Sequence, residues 1–268
     1  MIDYFLFADE ANPEQTDPNK FFIYGGVIFP TSAIGLIHDE VEALRLDLGL
    51  SVQDQLKFNS RSKPKSLTTE QHTAAKQVIY EIAARHGVKF IGYAVLHAIA
   101  RKKDHSTLVE FGANILLAKF NQFLGENKAT GWANFDRLNT EKPYAYLQAK
   151  FENRQSTEDS HIRLERVLGY SFTCDGASHH SSVADIIIGG FRYVMNEPER
   201  DVAGRAIVQA IGPIFWGKQN SEGVTFIGER GLVLRPKNLS APSYQADYAE
   251  VKARLTDWSR TMNENEQP

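Results

Sequence analysis

Tyr4-Phe5-Leu6-Phe7-Ala8-Asp9-Glu10-Ala11 sets an unbroken apolar run directly ahead of two acids. A run of this kind reads as a strand buried on both faces. A carboxylate at the end of a core strand is costly unless it is paired, hydrogen-bonded or bound to a metal. The plain alternative is that Asp9 and Glu10 leave the core and open a polar turn, since Asn12-Pro13 follows at once.

Working outward, Phe21 to Phe29 reads as a second strand ended by Pro30, joined to the first by a long polar loop. Gly25-Gly26 inside it predicts a bulge or a close approach of a neighbour. A helix from Thr31 or Ser32 to about Leu48 follows, then a polar loop over 51–66. The pattern continues with a helix from Thr68 or Thr69 to about His86 and a strand from Val88 to His97. A long helix from about Ser106 to Leu124 comes next. Gly131-Trp132-Ala133-Asn134-Phe135-Asp136 is another apolar strand that ends in an acid. A helix near Lys142-Pro143, a strand within Ile162 to Thr173, and a nearly all-apolar helix from Val183 to Met195 follow. The last stretch reads as a helix over 201–215, a strand pair near 224–227 and 232–234, and a closing helix from about Ser243 to Trp258. Strands and helices alternate after an antiparallel start, which predicts a mixed α/β sheet with helices on both faces. Ligands in such sheets gather at strand ends.

The chain has 268 residues, enough for one large domain or two small ones. Its net charge of −3 gives no overall electrostatic case for nucleic acid, so an anionic partner must be held by a local patch. The single cysteine, Cys174, excludes an internal disulfide and a cysteine-rich zinc site, and fits a reducing, cytoplasmic setting. No basic region opens the chain as in a signal peptide, and no apolar run approaches the roughly 18 residues of a membrane span.

Three acids share one reason for notice. Asp9 and Asp136 each terminate an apolar strand, and Asp185 lies near the start of the apolar helix. Asp185 has a competing reading, because Ser182-Val183-Ala184-Asp185 fits capping-box spacing and a first-turn acid suits the helix dipole. Acids delivered by different core elements are what Mg2+ or Mn2+ requires, since hard cations take several oxygen ligands. A pair of such ions can activate a water and stabilise the leaving oxygen of a phosphodiester. In the 51–66 loop, Lys57, Arg61, Lys63 and Lys65 face only Asp54, a balance suited to phosphate or simply to solvent. His179-His180 reads as a metal ligand or base near Asp185, or as a polar turn. Neither a serine elbow nor a phosphate-cradling glycine loop is present.

On these stretches the chain resembles the domain-of-unknown-function 3800 family. Ala8-Asp9-Glu10-Ala11 is similar to that family's Asp-Glu-Ser-Gly opening. Phe22-Ile23-Tyr24-Gly25-Gly26-Val27-Ile28 resembles its second strand, Gln55-Leu56-Lys57-Phe58 its Glu-x-Lys segment, and Val183-Ala184-Asp185-Ile186-Ile187 its late Ala-Asp helix. The resemblance spans about residues 3–195. It implies a ribonuclease H-like fold and a metal-dependent nuclease of mobile-element or anti-phage loci. Ala11 and Asn12 depart from Ser-Gly, and Gln55 stands where the family has Glu; Asp54 is the neighbouring acid that could take that place.

The combined expectation is a ribonuclease H-like domain over 1–197 with an α/β extension over 198–268 packed on it. Asp9, Asp136 and Asp185 are the expected metal ligands. Glu10 and Lys57 join them as catalytic candidates, Asp54 and His180 are supplementary, and Lys57 and Arg61 contact substrate phosphate. The expected partner is RNA or DNA, with room for a protein partner or a second copy, and no membrane. The alternative is a non-catalytic subunit that binds nucleic acid or a protein and has lost a complete metal shell, for which Gln55 argues.

Overall fold

The computed structural model describes residues 1–11, 17–100, 103–136, 147–148, 163–173, 178–221 and 223–264, with side chains described as far as residue 256. Six strands form one mixed sheet in the order β5-β4-β1-β2-β3-β8. They are β1 (Tyr4–Ala11), β2 (Phe21–Pro30), β3 (Lys89–Leu96), β4 (Gly131–Asp136), β5 (Val167–Thr173) and β8 (Leu232–Arg235). β2 runs antiparallel to β1 and β3, while β1, β4 and β5 are mutually parallel and β8 is parallel to β3. One reversed strand therefore lies among parallel ones. The short strands β6 (Lys218–Gln219) and β7 (Thr225–Phe226) pair with each other. The sequence pattern had paired the segment near 224–227 with 232–234. Instead, the second of these joins β3, so the stretch beyond residue 198 contributes a strand to the main sheet.

Alternation along β1 and β2 sorts residues between two apolar cores, as a period of two requires. Leu6, Ala8, Phe22, Tyr24 and Ile28 face α4 (His105–Glu126). Phe7, Phe21, Ile23, Val27 and Phe29 face the opposite layer. That layer contains α1 (Ile34–Asp47), α2 (Thr69–Arg85), α5 (His179–Asn196), α6 (Asp201–Ile211) and α7 (Pro242–Glu264). A one-turn helix, α3 (His97–Ala100), follows β3. β2 is buried from Phe21 to Phe29, which makes it the central strand. None of the described helices is long and apolar enough to cross a membrane.

The anticipated close approach at Gly25 is made by α5. A β-carbon on Gly25 would lie 2.5 Å from Ile188 Cγ1, so only glycine lets the helix sit this low on the sheet. The β1–β2 register stays continuous through Gly25 and Gly26, so there is no bulge.

The helix expected near Lys142-Pro143, Cys174, and two members of the Arg101-Lys102-Lys103 cluster, Arg101 and Lys102, lie outside the described residues.

Candidate active site

Asp9 is the register partner of Gly25 and points to the same face as α5. β1 and β4 pair in parallel up to Ala8 and Phe135. Extending that register by one residue sets Asp136 beside Asp9, on neighbouring strands about 4.8 Å apart. Because Ile188 rests on Gly25, Asp185, one turn earlier on α5, comes down over the same strand ends. Asp9, Asp136 and Asp185 line one pocket together with Phe7, Thr173 and Ser181. Three chain segments far apart in sequence thus deliver an acid to one place, at the carboxyl ends of parallel strands.

The helix that carries Asp185 begins earlier than its apolar pattern predicts. Ser178 caps it, its side chain accepting from Ser181 N, and His179 opens the first turn. Asp185 therefore sits in the second turn and is not a capping residue. Its Oδ2 instead accepts the backbone N–H of Phe58 at 2.6 Å. Phe58 belongs to the polar loop before α2, so that loop borders the acids. A β-carbon on Gly189 would lie 2.3 Å from Phe58 Cβ, so the loop and α5 are in direct contact.

The pocket is electrostatically strained. Burial pushes the Asp9 carboxyl well above the ordinary carboxylate range, and the charges of Glu10, Asp136 and Asp185 push it further. The residue keeps some surface open to the pocket, but its carboxyl is packed round by protein. Glu10 points to the other face, as strand alternation requires. It lies 3.8 Å from His105 Nε2 at the start of α4, and burial raises its pKa against the opposing pull of His105. Its register partner is Tyr24. Tyr24 Oη is buried and has no hydrogen-bond partner among the described residues. Burial, then the charges of Glu10, Asp9 and Asp136, drives its pKa far up.

The other candidates fall elsewhere. Lys57 is next to Phe58, and its carbonyl accepts from His72 Nε2 at 2.8 Å, so its backbone is pinned at the edge of the site. Arg61 is exposed on a 3-10 turn, Ser60–Ser62. Asp54 is not a substitute ligand. Its carboxylate accepts from the N–H and hydroxyl of Ser51 at 2.9 and 2.7 Å, and those bonds hold its pKa low. The histidine pair is helical and not a polar turn. His180 is buried against Phe7 and Phe29 and donates Nε2–H to the Ile34 carbonyl, while His179 bonds Glu42 at 2.8 Å. Neither is spent on the acids.

Phe58, Tyr24 and His105 were not legible as site residues. Phe58 acts through its backbone, and Tyr24 and His105 gain relevance only from cross-strand and cross-layer placement. Alternation along β1, which puts Glu10 opposite Asp9, was the one available signal.

Among the described residues, no three His, Cys, Asp or Glu side chains form a ready-made metal-binding group. The three acids share a pocket without closing a ligand shell. Their chemistry nevertheless fits a hard divalent cation: every donor is a carboxylate, and their charges reinforce one another. No family model, no curated protein and no solved structure matches this chain.

Proposed function

We propose that this protein is a divalent-metal-dependent nuclease. The carrying observation is the convergence of Asp9, Asp136 and Asp185 on one pocket, where burial and then the neighbouring carboxylates raise the Asp9 pKa. Like charges gathered at this density are disfavoured until one is protonated or a cation joins them. The fold is consistent with the reading. The mixed α/β sheet, with β2 antiparallel to β1 and β3, is compatible with the ribonuclease H-like fold that the resemblance implies. The four quoted motifs carry the family resemblance.

In this reading Asp9, Asp136 and Asp185 hold Mg2+ or Mn2+. When bound, such an ion supplies Lewis-acid polarisation of a phosphodiester and an activated water. The chain's own residues do the rest. The Phe58 N–H orients Asp185, and the pinned Lys57 lies at the rim where a substrate phosphate enters. Glu10 adds negative charge behind Asp9 while staying on the opposite face with His105.

The test is incubation of single- and double-stranded DNA and RNA oligonucleotides with the protein and manganese, beside the Asp9→Asn variant. Metal-dependent cleavage by the parent, abolished in the variant, supports the reading. Binding without cleavage under all these conditions would leave the non-catalytic binding subunit in its place.

A further inference from the structure

Lys76 of α2 and Arg192 of α5 both stand against the Phe58 ring, with Nζ 4.6 Å and Cζ 6.0 Å from its centroid. Lys76 also donates to the Phe58 carbonyl at 3.4 Å, a long bond. Both side chains are half-buried. Among the described residues no carboxylate lies within ion-pair distance of either. By contrast Arg45, Arg85, Arg205, Arg230 and Arg235 each have an acid partner. A half-buried cation without a counter-anion has lost part of its hydration and has nothing ionic in exchange. Burial alone accordingly lowers the pKa of Lys76.

The position of the pair gives it a use. The residue whose ring it flanks is the one whose N–H holds Asp185. Arg192 is seven residues beyond Asp185 on the same helix, about 10 Å along its axis. A chain of net charge −3 with a pocket of acids repels phosphate, so a nucleic-acid strand needs local cations to stay against it. Backbone phosphates are held in this way by Lys and Arg, which fix register without reading sequence.

We infer that Lys76 and Arg192 form a backbone-phosphate subsite for a nucleic-acid strand, taking a phosphodiester adjacent to the one presented to the acids. This inference rests on the nuclease reading and adds two residues to Lys57.

The experiment uses the full chain carrying Asp9→Asn, without divalent metal, and labelled single-stranded DNA and RNA oligonucleotides over roughly 50–200 mM salt. Adding Lys76→Gln and Arg192→Gln should weaken binding. It should also make the log-affinity against log-salt slope shallower by about 1.4, the value for two single-strand phosphate contacts. The charge-conserving pair Lys76→Arg and Arg192→Lys should restore the slope, with melting temperature recorded to show that every variant is folded. A shift with only one type of strand names the substrate. An unchanged slope, a charge-conserving pair as defective as the neutral one, or no binding of either strand overturns the subsite. Manganese-dependent cleavage by the parent is scored separately. Cleavage with an unchanged slope overturns only the subsite, and a shifted slope without cleavage overturns only the catalytic reading.

Discussion

Phe58 donates its backbone N–H to Asp185 Oδ2 at 2.6 Å, joining the loop before α2 to the middle of α5 across 127 positions of the chain. An ionised acceptor makes this a strong bond, with a net contribution of about 1.5–3 kcal/mol. Asp185→Ala should therefore lower the stability of the metal-free protein by about that amount. Asp185→Asn should cost less, because an amide oxygen still accepts. Denaturant unfolding of both variants checks this, and equal losses would mean that an amide oxygen at position 185 does not take over the Phe58 N–H.

Gly189→Ala tests the contact that brings the loop to the helix. The new methyl would meet Phe58 Cβ at 2.3 Å, so the loop must move outward. Overpacking of this kind costs about 1–3 kcal/mol. The Phe58 amide should lose hydrogen-exchange protection more than amides in β2 do. A variant with wild-type stability and a protected Phe58 amide would show that the loop is not seated on α5.

How far the sequence went follows from where each signal resides. β1, β2 and β4 carry apolar runs that end at a Pro or an acid, and such runs survive in the fold because burial sets them. The pairing of β8 with β3 was not readable, since a short apolar segment can add to any free sheet edge. Asp9 and Asp136 stood out because charge at the end of a core strand is costly. Asp185 carried the same signal, but its helix starts at His179, four residues before the apolar pattern does, because Ser178 caps a polar first turn. In one charged loop Asp54 reads as a stand-in for Gln55, and Arg61 as a phosphate contact like Lys57. Only the hydrogen bonds of Ser51 and the 3-10 turn at Ser60–Ser62 separate the two from Lys57.

Stability should depend on pH through Asp9. Its folded pKa is raised above the ordinary value of 3.8, so the folded state holds the proton more tightly than the unfolded chain. The contribution is therefore complete below the unfolded pKa and is lost as pH rises through the raised folded value. Asp9→Asn removes this dependence. In metal-free buffer the stability of Asp9→Asn relative to the parent should increase as pH is raised from about 4 and then level off. A difference that stays constant over that range would show that burial and the neighbouring carboxylates do not raise the Asp9 pKa in the folded state.

The most direct measurement is a set of melting curves for parent and Asp9→Asn, each with and without millimolar manganese. A cation that joins Asp9, Asp136 and Asp185 binds the folded state alone. It should raise the parent's melting temperature by linkage, equivalent to about 2.7 kcal/mol at a hundredfold excess over Kd. Asp9→Asn should lose most of that response while being at least as stable as the parent without metal. A parent that melts identically with and without manganese, or a variant with the same response as the parent, would contradict the claim that these three acids form a cation site.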